Sequence, residues 1–293
     1  LMTTARPTVW RSLLREIRSN RSAQWAVAVL FFLIVCSLGA PWLAQHDPLT
    51  LNLESARFIP PFFSEGGSWL HPFGTDGSGR DVFSRVLHGG RISLVLGFLP
   101  VALGAGLGVP LGLLSGYLGG RTDEFLMRLN DCLLAFPAIL LALILVAFLG
   151  QGIVNLMIAV GLAYAPTFAR VARSATLGER SKEYVTSAHA NGASLSRILF
   201  KHVLPNILNS VVVVATMSFA SALLESAGLS FLGLGVRPPT PEWGAMLAEG
   251  KADFYQAWWT LVFPGAAIFL TVFCLNVLGD SLRDALDPRS SRG

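Results

Sequence analysis

Apolar positions in this chain come in long unbroken runs rather than in the stripes of a soluble helix or the alternation of a half-buried strand. No Lys, Arg, Asp or Glu occurs from Ser22 to His46 or from Ile92 to Gly120, and Cys132–Ala169 is free of charge over 38 residues. As helix, that last stretch would be about 57 Å long, nearly twice a bilayer core of ~30 Å. It must fold back on itself, and Gly150-Gln151-Gly152 is the natural hairpin. Two more apolar runs lie at 207–227 and 257–279. The pattern predicts an all-α polytopic membrane protein with six transmembrane helices. Pro110, Pro166 and Pro264 fall inside spans, where neighbouring groups in a membrane bundle can satisfy the carbonyls they free.

The polar intervals divide the chain. We expect an amphipathic segment over 1–21, a first transmembrane helix over 22–46, an outer loop over 47–91, a five-helix core over 92–279 and a C-terminal tail over 280–293. The core contains a polar inner loop at 176–206. In the outer loop, Thr75-Asp76-Gly77-Ser78-Gly79 is turn chemistry that can cap a short interfacial helix over Asp81–Leu87. Glu225–Gly235 is apolar but too short to cross, and it leads into the proline-rich Val236–Gly244. It reads as a re-entrant or interfacial element on the outer side.

Composition agrees: 53% of residues are hydrophobic, 14% are charged, and the mean hydropathy is +0.57. Charge also sets the orientation. With the N-terminus inside, sixteen Lys and Arg face the cytoplasm and six face out, while the acids divide evenly. The positive-inside rule therefore predicts cytoplasmic termini. The net charge of +4 calls for no nucleic acid, because Arg6, Arg11, Arg15, Arg18 and Arg21 are spaced to lie on anionic headgroups. The first span is too long for the apolar region of a signal peptide, and Gly39-Ala40-Pro41 is a poor cleavage site, so we read it as an anchor. Cys36, Cys132 and Cys274 lie in or beside spans, which argues against a disulfide framework.

Catalytic signatures are missing from the sequence. It contains no G-x-x-x-x-G-K-[ST] phosphate loop, H-E-x-x-H, C-x-x-C or G-x-S-x-G. We expect a non-enzyme that binds no ATP of its own. His71, Asp76, Asp81 and His88 lack tight metal-ligand spacing and have arginines among them. Glu225 is the one acid expected near membrane depth, which makes it a candidate for the substrate pathway or for an interfacial cap. Gly104, Gly108, Gly112 and Gly116 recur every four residues and place a groove on one helix face. Arg128 and Asp131, three apart, are expected to pair.

The segment EYVTSAHANGASLSRILFKHVLPN, residues 183–206, carries the chemistry of a docking loop. It joins helix formers to small residues and then to cations, and Leu204-Pro205 is expected to stop or kink the helix. The candidate contact residues are Glu183, Thr186, Ser187, Ala188, Ala190, Gly192, Ala193, Ser194, Arg197, His202, Leu204 and Pro205. The segment resembles the coupling loop of bacterial ABC importer permeases. Three further blocks, His71–Leu94, Leu229–Gly244 and Phe263–Arg289, extend the likeness over nearly the whole chain. They resemble the C-type membrane subunit of the dipeptide, oligopeptide and nickel group. The family's Glu-Ala-Ala reads Thr186-Ser187-Ala188 here, whereas Gly192, Leu204 and Pro205 match.

This resemblance implies a bacterial inner-membrane permease subunit that works with a second, related permease. Two ATPase subunits carrying ATP and Mg and an extracytoplasmic binding protein would complete the importer. The expected cargo is peptides, with nickel complexes or another small solute as the alternative. A stand-alone secondary transporter and a membrane scaffold are the readings from other classes. The first would show repeated halves and charged sites at mid-membrane.

Overall fold

The computed structural model describes residues 20–51 and 56–286. The amphipathic segment expected over 1–21 lies outside these residues except for its last two, as does the tail beyond Leu286. Helix α1 spans Arg21–Leu38, and the Asn20 side chain caps it by accepting from the Ser22 N–H at 3.0 Å. It ends earlier than the run of apolar residues, because the chain turns at Gly39 into the short α2, Ala40–Leu43, with Pro41 in its first turn.

Helix α3 runs unbroken from Val82 to Leu118. The separate interfacial helix expected over Asp81–Leu87 is its first turns, with Asp81 as the N-cap. Gly89-Gly90 and Arg91 look like a break in sequence, but the two glycines serve close packing. A Cβ on Gly90 would lie 2.2 Å from Ser37 Oγ and 2.9 Å from the Trp243 ring. At 37 residues, α3 is about 55 Å long, so it outruns the bilayer and its first turns stand in the outer segment.

Helices α4 (Gly120–Leu134) and α5 (Ala138–Leu149) form a pair that bends by 88° at Ala135-Phe136-Pro137. Pro137 forces its predecessor out of helical geometry and starts α5 with an extended ψ of 135°. Among the described residues five helices are long and apolar enough to cross a membrane, and the count reaches the expected six when this bent pair is taken as one span. The hairpin at Gly150–Gly152 forms as expected, with both glycines at positive φ. Asn155 Nδ2 donates to the Leu149 carbonyl at 2.7 Å and satisfies the end of α5.

Helix α6, Ile153–Arg180, packs along α3. The glycine groove makes this contact possible. A Cβ on Gly108 would lie 2.2 Å from the Ala165 carbonyl oxygen, and one on Gly112 would lie 2.2 Å from that of Ala169. At Gly104 and Gly116 the corresponding clearances to Gly161 and Arg173 are 2.9 and 2.8 Å. The backbones touch, as small-residue interfaces in membranes allow. Phe168, Leu113, Leu156 and Leu96 fill the core around this pair.

The inner loop forms α7, Glu183–Ala190, and the chain then enters α8, Leu195–Phe231, which includes a π-helical turn at Ile198–Val203. Residues 225–231, expected to begin a separate re-entrant element, are the last turns of α8. The outer non-spanning element is instead α9, Trp243–Gly250, capped by the Glu242 carboxylate. Helix α10, Trp259–Leu286, closes the bundle against α1 and α8 and takes in the first residues of the expected C-terminal tail.

Candidate coupling site

Helix α7 is a short helix held below the bundle by a few contacts. Glu179, at the end of α6, receives Lys182 Nζ at 2.5 Å and the Tyr184 hydroxyl at 2.5 Å, which fixes the turn between the two helices. Val185 is 2% exposed and plugs α7 into the core. Its end is a glycine cap. Gly192, at φ +75°, lets its own N–H reach the His189 carbonyl and the Ala193 N–H reach the Ala188 carbonyl at 3.1 Å. A Cβ on Gly192 would meet nothing within 4 Å, so glycine is needed there for its backbone conformation rather than for space. Ser194 then caps α8 by accepting from the Arg197 N–H.

The candidate residues divide into two faces. Glu183, Thr186, Ser187, Ala190, Gly192, Ser194, Arg197 and Pro205 are exposed. Ala188, Ala193, His202 and Leu204 are half-buried, and Ala188, Ala193 and Leu204 pack on the core. The small residues thus do two jobs: some sit on an open surface, and others let the loop lie flat on the bundle. Pro205 does not stop the helix. The π turn just before it absorbs the irregularity, and Ile198, Leu199 and Val203 from that turn are buried. Tyr184, Val185, Glu179 and Lys182 hold the site and were not anticipated. The lone apolar Val185 among polar neighbours was the available signal.

Around the site, the expected Arg128–Asp131 pair does not form. Arg128 pairs with Glu124 one turn back, and Asp131 pairs with Arg170 of α6 at 2.6 Å. The i,i+4 spacing offered Arg128 an acid on its own face, and α6 supplied the stronger partner for Asp131. Arg173 makes a two-pronged contact with Asp123 at 2.5 and 2.6 Å, joining α6 to α4.

At the outer end, Arg80 and Arg85 both donate to Glu249 Oε2, at 2.8 and 2.7 Å, and Arg80 also pairs with Asp76 at 2.7 Å. This cluster ties the outer loop and α3 to α9. Asp81 caps α3 through the Ser84 N–H at 2.7 Å and faces His71 at 3.1 Å. Buried Glu242 accepts from the Gly244 and Ala245 N–H groups at 2.9 and 2.8 Å. Burial pushes its carboxyl above the usual range, and the hydrogen bonds oppose that rise. Glu225 lies in α8 against Tyr164 of α6, and its Oε2 is buried without a hydrogen-bond partner.

Comparison with known proteins places this geometry in context. Residues 108–292 match the family described as binding-protein-dependent transport system inner membrane component, and residues 8–61 match the N-terminal TM domain of oligopeptide transport permease C. The chain is 41% identical over 283 residues to the di/tripeptide transport system permease protein DppC of Pseudomonas aeruginosa (strain UCBPP-PA14), an alignment covering 97% of this chain and 93% of that protein. It is 46% identical over 282 residues to the glutathione transport system permease protein GsiD of Escherichia coli O157:H7, covering 96% and 91%. Among solved structures, inward-facing forms of the MetNI methionine ABC transporter share the fold, with a TM-score of 0.56 at 19% identity, over 69% of this chain and 97% of that one.

Proposed function

The chain belongs to the family of binding-protein-dependent transport system inner membrane components, and from that premise we propose how its parts divide the work. It is a multi-pass inner-membrane permease subunit of an ABC importer. The cargo we assign is short peptides, glutathione included. What supports this is the pair of full-length relatives, named for di/tripeptide and glutathione transport, at 41% and 46% identity.

In this reading, the five-helix core of 92–279 forms half of the pathway with a second permease, and both termini lie in the cytoplasm. Helix α7 and the cap at Gly192 dock on an ATPase subunit, which holds ATP and Mg; this chain supplies no catalytic group. A binding protein delivers cargo to the outer face. The single observation that carries the coupling role is a small, exposed, separately capped helix pinned to the bundle by Val185 and Glu179. When the ATPase pair closes, force on α7 passes through Glu179 into α6 and through the π turn into α8. The two long helices then shift between two packings.

Reconstitution of the permease pair, ATPase subunits and binding protein in liposomes tests the assignment. We expect uptake of labelled dipeptide or glutathione that requires ATP and the binding protein. Uptake of a nickel complex in place of peptide would replace the cargo. Ion-driven uptake by this chain alone would replace the class with a secondary transporter.

A further inference from the structure

A cavity of about 340 Å³ opens at the inner end between the last turn of α3 and the outer face of α7, lined by Tyr117, Leu118, Arg180, Val185, Thr186 and His189. Arg180 is its chemical centre. The guanidinium lies over the Tyr117 ring, 6.0 Å from the centroid. Its Nη1 stands 2.9 Å from where a Cβ on Gly119 would be, and Gly119 has φ 67° and ψ −161°, a conformation that glycine alone adopts readily. The α3–α4 junction therefore leaves room for the guanidinium, and the ring holds it in place.

Among the described residues, Arg180 nevertheless has no carboxylate partner. Among the described residues, Arg128, Arg170 and Arg173 each pair with an acid on α4, whereas Arg180 is in no ion pair. Its neighbour Glu179 is occupied by Lys182 and Tyr184. Thr186, standing where the coupling-loop pattern has Glu, lines the cavity and brings no charge. Among the residues lining the cavity there is no acid.

We propose that this cavity receives an Asp or Glu side chain projecting from the ATPase subunit, with Arg180 as its two-pronged partner. The inference rests on the coupling reading above and specifies the chemistry of the contact. The cavity is open and has room for an inserted carboxylate side chain. A planar guanidinium beside a ring offers a fork of donors that matches both oxygens of a carboxylate. The pattern's Glu at position 186 would compete with an incoming acid; Thr186 leaves the cation open to it.

The test measures binding of the cognate ATPase subunit to the permease pair in nanodiscs, for wild type, Arg180→Lys, Arg180→Gln and Arg180→Glu, over a range of NaCl. We expect Arg180→Glu to weaken binding about tenfold or more, because it sets like charges against each other. Arg180→Gln should weaken binding less and flatten its salt dependence, and Arg180→Lys should fall between Gln and wild type. Unchanged melting of the Gln variant shows that the fold is intact. Reversing the matching acid on the ATPase subunit to Arg should restore binding to Arg180→Glu, which no general damage would do. Wild-type affinity in Arg180→Glu, while Ala190→Arg on α7 still releases the ATPase subunit, overturns this proposal alone. If Ala190→Arg also leaves binding intact, the coupling reading fails and this proposal fails with it.

Discussion

Arg85 and Arg170 each pair with a carboxylate at almost the same distance, 2.7 and 2.6 Å, at opposite ends of the bundle. The Arg85 side chain is 2% exposed and shares Glu249 with Arg80, whereas Arg170 and Asp131 are each 58% exposed. Distance does not separate these pairs; surroundings do. A mostly buried guanidinium left without its acid is poorly resolvated, while an exposed one resolvates at little cost. The outer end is thus a locked buttress of charges, aromatic rings and caps. The inner end is a solvated surface from which one small helix projects.

The largest effect should come from the buttress. Glu249→Ala removes the closest acid of Arg85, which keeps Asp76 only at 3.9 Å, while Arg80 keeps its bond to Asp76 at 2.7 Å. We expect a loss of about 3 kcal/mol, the low end for breaking a buried pair, read as a lowered melting temperature in detergent. A loss of under about 1 kcal/mol would erase the distinction between the ends. Asp131→Asn at the inner end should cost no more than about 1 kcal/mol, and that cost should shrink further as salt rises. A cost matching that of Glu249→Ala would mean that the inner pairs also lock the bundle.

The sequence made the inner end easier to read than the outer. The hairpin at Gly150–Gly152 follows from a charge-free run too long for one crossing, and the glycine groove of α3 follows from its four-residue spacing. Both are local patterns. The Arg85–Glu249 link joins residues 164 positions apart, and nothing near either one announces the other. The expected short helix over Asp81–Leu87 and the core from residue 92 left Gly89-Gly90 in the outer loop. Only the approach of Ser37 and Trp243 shows that the glycines make room within a continuous helix. In the 183–206 loop the candidate residues could be named as a group, but their division into faces could not. It depends on Val185 and on the cap at Gly192, which turn α7 so that Ala188 looks inward and Ala190 outward.

That division supplies the most direct test of the coupling role. Ala190 is exposed and helical, so Ala190→Arg adds bulk and charge to the docking face without the strain an Arg at Gly192 would carry. The measurement is co-purification of the ATPase and second permease with this chain, wild type against Ala190→Arg, with melting of the permease pair as the check on folding. The account predicts that wild type brings down both partners, and that Ala190→Arg keeps the second permease and its melting temperature but loses the ATPase. ATPase retained at the wild-type level, or absent from the intact wild-type complex, would contradict it.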